Sequence, residues 1–89
     1  MYSYEVWFTR TADKAYRKLP TKERARIDTT LDALEYNPWP TGYKKLKGSR
    51  EEFFRVRVGE YRLVYRVEEQ RLVVAVIRIG HRSEVYRNL

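Results

Sequence analysis

The sequence predicts an α+β fold, a small mainly antiparallel four-stranded sheet in the order β-α-α-β-β-β with a helical hairpin packed on one face. Three observations predict it. Residues 2–8 alternate apolar and polar in strand fashion, residues 11–36 switch to a helical period interrupted at Leu19-Pro20, and residues 53–79 hold three further alternating segments. With 89 residues and no Gly/Ser-rich linker or internal repeat, residues 1–89 are expected to form one domain.

The first strand places Tyr4, Val6 and Phe8 on one side. In the first helix Ala12, Ala15, Tyr16 and Leu19 fall at i, i+3, i+4 and i+7, behind Thr11 as the expected cap. Pro20 then breaks the chain, and Thr21 is the expected cap of a second helix whose buried stripe is Ile27, Leu31 and Leu34. Asn37-Pro38 and Trp39-Pro40 end that helix. Residues 43–50 read as a basic loop. The segments 53–58, 61–67 and 71–79 then read as a three-stranded meander, turning at Gly59-Glu60 and at Glu68-Glu69-Gln70.

Charge and composition narrow the function. There are 19 Lys+Arg against 12 Asp+Glu, a net charge of +7 that attracts polyanions, nucleic acid first. Cysteine is absent, which removes disulfides, thiolate metal sites and cysteine nucleophiles and fits a reducing cytoplasmic setting. A single histidine argues against a transition-metal site, and no carboxylate cluster stands out for Mg²⁺, so neither metal nor cofactor is expected. No apolar run is long enough to cross a bilayer, and the N-terminus lacks the pattern of a signal peptide.

The informative stretch is FFRVRVGEYRLVYRV, residues 53–67. Gly59-Glu60 has the length of a two-residue hairpin loop, with glycine where a type II′ turn needs it. That turn sets Val58 opposite Tyr61, Val56 opposite Leu63 and Phe54 opposite Tyr65, an apolar surface for the helices. The other face pairs Arg57 with Arg62, Arg55 with Val64 and Phe53 with Arg66, so every arginine of the hairpin lands on one side. Like charges directly opposite each other destabilise a hairpin, and an anion held there relieves the repulsion. Guanidinium forks suit phosphate, since they stay charged and donate in a plane. The plain alternative is a solvated basic edge, or one that pairs with loop carboxylates.

The antiparallel return of the last strand brings Arg78-Ile79-Gly80 back beside Tyr61 and Arg62, with His81, Arg82 and Tyr86 expected near the Gly59 end of the hairpin. Several arginines, a tyrosine and a histidine can support metal-free cleavage of RNA. In that reaction the 2′-hydroxyl attacks the adjacent phosphorus, and arginines stabilise the charge that builds on the non-bridging oxygens. His81 is best placed by intrinsic pKa for proton transfer, and Tyr86 could orient the 2′-hydroxyl or stack on a base. Their plainer roles are a strand-end cap for His81 and a core position for Tyr86.

At KLKG (45–48), FFRVRVGEYRLVYRV (53–67) and VIRIGHRSEVYR (76–87) the sequence resembles the RelE-type toxins of bacterial and archaeal toxin–antitoxin pairs, part of the RelE/ParE superfamily. The resemblance covers nearly the whole chain, including the element order. It implies a metal-independent endoribonuclease, an mRNA interferase that cuts mRNA in the ribosomal A site. It also implies an antitoxin partner encoded next to the toxin, and a basic surface that contacts ribosomal RNA. By resemblance the catalytic positions fall on Arg55, Arg57, Arg62, Arg82 and Tyr86, with His81 beside them. RNA and ribosome contacts are expected at Lys44, Lys45, Lys47, Arg50 and Arg66. One departure is chemical: well-studied members carry lysines at the first two positions, one of them proposed as a general base. Arginine holds its proton too tightly for that role, so Arg57 reads as a phosphate clamp. Two other readings are a ParE-like inhibitor of DNA gyrase without nuclease activity, and a noncatalytic RNA- or ribosome-binding module.

Overall fold

The computed structural model describes residues 3–47 and 51–81. The elements run β1 (Glu5–Phe8), α1 (Arg10–Lys18), α2 (Thr21–Tyr36), β2 (Lys44–Lys45), β3 (Phe54–Val58), β4 (Tyr61–Glu68) and β5 (Val73–His81). They form a five-stranded sheet in the order β1-β5-β4-β3-β2. The α+β prediction therefore holds, with two refinements. The sheet is mixed, because β1 pairs in parallel with β5. The expected basic loop also contributes a two-residue strand, which pairs Lys44 with Arg55 and Lys45 with Phe54.

Both helices lie on one sheet face. Ala12, Ile27, Leu31 and Leu34 meet Phe54, Val56, Val58, Leu63, Tyr65, Val74, Val76 and Ile79, and Tyr4, Val6 and Phe8 pack against this cluster from β1. The stripe expected of α2 is thus the observed one. The cap of α1 is Thr9 rather than Thr11: its hydroxyl accepts from the Ala12 backbone N–H at 3.2 Å, and Thr11 falls inside the helix. Thr21 is likewise the first residue of α2, behind Pro20, which offers no side-chain cap. Tyr65 crosses the core and donates its hydroxyl to the Pro38 carbonyl at 2.5 Å, fastening the segment after α2 to the sheet. Burial pushes the Tyr65 phenol well above its usual range, so it keeps that proton. No described helix is long and apolar enough to cross a membrane.

Candidate functional site

The hairpin follows its sequence. Gly59 takes φ +60°, open to glycine at little cost, and the two-residue turn sets Val58 opposite Tyr61. From there the register runs as expected: Arg57 faces Arg62, Val56 faces Leu63, Arg55 faces Val64 and Phe54 faces Tyr65. Because cross-strand partners share a face, Arg55, Arg57 and Arg62 stand together on the side turned away from the helices, here the open face. Lys44 joins them through its pairing with Arg55.

Their environments differ. Arg57 is exposed and Arg55 half-buried, and neither has a carboxylate partner among the described residues. Arg62 is only 7% exposed, rare for an arginine, and its Nη1 donates to the Tyr61 carbonyl at 3.2 Å. Its neighbours across the sheet are Arg57 on β3 and Gly80 on β5, and Gly80 offers no side chain to occupy the space beside it. A guanidinium fixed in this way is pre-oriented, which is what stabilising a developing charge requires. Beneath the row, Phe53, Val64, Leu46 and Ile77 form a second apolar cluster that floors the face and lowers its local dielectric.

Other expected site residues fall elsewhere. Arg66 is on the open face, but its Nη1 lies 3.2 Å from Glu51 and its Nη2 lies 3.4 Å from Glu68. For Arg66 the plain alternative is the one realised, pairing with carboxylates, one of them from a loop. Lys45 is held by Glu52 at 3.0 Å, and Lys47 is exposed in the bend that follows β2. His81 sits opposite Tyr61, their rings 6.1 Å apart in a T-shaped arrangement. It is thus one residue out of phase with the arginines and takes the side of Val58 and Tyr61 rather than that of Arg57 and Arg62. This corrects the expectation that it joins their cluster. Arg50, Arg82 and Tyr86 lie outside the described residues. Among the described residues no group of three His, Asp or Glu side chains is arranged to hold a metal ion.

The turn into β5 also differs from the sequence reading. It spans residues 69–72 rather than 68–70, and its left-handed residue is Leu72, at φ 54°. The longer turn shifts β5 so that Val74 faces Val67 and Val76 faces Tyr65. A register break follows: Tyr65 pairs with Val76 and Val64 with Arg78, leaving Ile77 as an extra residue.

Comparison with known proteins completes the description. A family model described as the ParE toxin of the type II toxin–antitoxin system parDE matches residues 6–86. The chain is 34% identical over 85 residues to toxin RelG of Mycobacterium tuberculosis, a match covering 94% of this chain and 97% of that relative. It is also 34% identical over 87 residues to the mRNA interferase toxin RelE of Escherichia coli, covering 94% of this chain and 90% of the relative. Among solved structures, the archaeal RelE–RelB complex from Pyrococcus horikoshii superimposes with a TM-score of 0.79 at 29% identity, covering 93% of this chain and 99% of that one. The isolated E. coli RelE toxin gives 0.74 at 34% identity, covering 94% and 92%.

Proposed function

The chain belongs to the ParE toxin family of type II toxin–antitoxin systems, with RelE-type toxins among its relatives, and from that premise we propose that it is an mRNA interferase. In this reading it cleaves messenger RNA in the ribosomal A site without a metal. The observation that carries it is the open face, where Arg55 and Arg57, with no carboxylate partner among the described residues, stand beside the enclosed Arg62. An anion with several oxygens satisfies that arrangement, and a phosphodiester is such an anion.

The reaction divides charge work from proton work. The 2′-oxygen attacks the neighbouring phosphorus, the O2′–P bond forms and the P–O5′ bond breaks. The 2′-hydroxyl gives up its proton and the 5′-oxygen gains one, so a 2′,3′-cyclic phosphate and a 5′-hydroxyl result. Negative charge gathers on the two non-bridging oxygens, where this reading assigns the forks of Arg57 and Arg62, and removing either arginine is expected to cost about 10²–10³ in rate. Arginine does not deprotonate in this range, so these groups bind and stabilise without serving as the base. Arg82 and Tyr86, carried over by resemblance, complete the proposed set. An antitoxin such as the RelB bound to the archaeal relative would silence the protein by covering this face.

Mapping RNA 5′ ends in a reconstituted translation reaction tests the reading. New ends at A-site codons of translating mRNA, with the same naked mRNA left mostly intact, are the expected result; an unchanged pattern overturns it. The description of the matching family favours one second reading, a ParE-like toxin acting on DNA gyrase. Inhibition of supercoiling by the purified protein, without RNA cleavage, would establish that reading instead.

A further inference from the structure

We propose that Arg78 is a substrate-positioning residue that holds an RNA backbone phosphate beside the scissile one, brought to the open face by the β5 bulge. This inference rests on the mRNA-interferase reading. Simple alternation from the buried Val74 and Val76 would turn residue 78 toward the helices. The extra residue Ile77 breaks that count. Arg78 pairs with Val64, whose other neighbour is Arg55, while Ile79 pairs with Leu63 and is buried in the core. Arg78 therefore shares the face of Arg55, Arg57 and Arg62.

The bulge is built into the fold. The Ile77 side chain packs against the Phe53–Val64 cluster that floors the open face. The irregular backbone of the bulge has its own partners: Thr9 donates its hydroxyl to the Ile77 carbonyl at 2.9 Å and its N–H to the Val76 carbonyl at 3.0 Å. Bulges commonly re-aim a side chain beside an active site. Here the result is a row running across the strands, with Lys44 on β2, Arg55 on β3, Val64 on β4 and Arg78 on β5. Three strand spacings make the row roughly 14 Å long. The row of Arg57 and Arg62 lies next to it. That row directs the RNA backbone across the strands, from Arg78 toward Lys44, and Arg66, farther along β4, is paired with Glu51 and Glu68.

The test uses the full chain and a short single-stranded RNA with a 2′-deoxy sugar at the cleavage position, which binds without reacting. Removing one phosphate contact lowers the slope of log affinity against log salt by about 0.7. Arg78→Gln is expected to show that change and about three- to tenfold weaker binding at low salt. It should raise the protein concentration for half-maximal cleavage on programmed ribosomes while leaving the single-turnover rate at saturation within about twofold. Arg78→Lys, which keeps the charge, should recover most of the affinity. A parent that cleaves, with an Arg78→Gln variant of unchanged slope and half-saturation, overturns the inference and leaves the function standing. A loss confined to the saturated rate, or Arg78→Lys no better than Arg78→Gln, also overturns it. A parent that neither binds nor cleaves overturns the mRNA-interferase reading itself.

Discussion

At the Gly59 end of the open face, the exposed Arg57 and half-buried Arg55 have no carboxylate partner among the described residues, and Arg62 lies enclosed between Arg57 and Gly80. At the other end the same kind of side chain behaves differently. Arg66 is bracketed by Glu51 and Glu68, and Arg71 pairs with Glu68 at 3.3 Å while its guanidinium rests 4.6 Å from the ring centre of Trp7. Trp7 in turn donates to Glu5 at 2.9 Å. One end pairs its arginines with acids of the chain, and at the other no acid among the described residues pairs with Arg55 or Arg57. Residue type does not separate the two groups. What separates them, among the described residues, is whether an acid lies within reach.

Substitutions can break that contrast, and the largest effect is expected at Arg62. Arg62→Ala should lower cleavage on programmed ribosomes by about 10²–10³, with circular dichroism unchanged. Retained full activity would remove the enclosed arginine from the site. Arg57→Thr should lower cleavage by a similar or smaller factor and move stability the other way. Relief of the cross-strand repulsion with Arg62 is worth roughly 0.2–1 kcal/mol, readable as a rise in urea midpoint. A variant that is both less active and less stable would contradict the idea that this pair is held against its own repulsion. The smallest effect belongs to the compensated end. Arg66→Gln should change cleavage by no more than about threefold and stability by no more than about 1 kcal/mol, since exposed ion pairs contribute little. A large loss of cleavage there would erase the distinction between the two ends.

The sequence made the hairpin register readable because one glycine at a two-residue turn determines every pairing that follows. The arginine face was therefore visible from composition and spacing. The pairing of Arg66 is not legible in the sequence, because its partner Glu51 comes from the loop before β3, a contact that no local pattern encodes. The path of β5 was hidden for two reasons. Its turn uses a left-handed Leu72, where glycine or asparagine would have signalled it, and Val73 to Ile77 is an unbroken apolar run in which a bulge leaves no trace. The bulge decides the faces that Arg78 and His81 take, so alternation along β5 does not reveal either. Thr9 could have been recognised as a cap by its position ahead of Ala12, but not as the partner of a carbonyl on β5.

That last contact joins residues 68 positions apart. Most of the remaining sheet is made by neighbours in sequence, through the hairpin of β3 and β4 and the return of β5. The pairing of β1 with β5 instead closes a loop that contains both helices and the whole hairpin, and contacts of such separation are the slow ones in folding. The strand that completes the arginine face beside β4 is therefore also the one on which the beginning of the chain is seated. A polypeptide cut short before β5 retains the cationic hairpin but has no strand on which to seat β1. Topology thus ties two events together: a partly made chain carries the charge of the hairpin before β5 stands beside it.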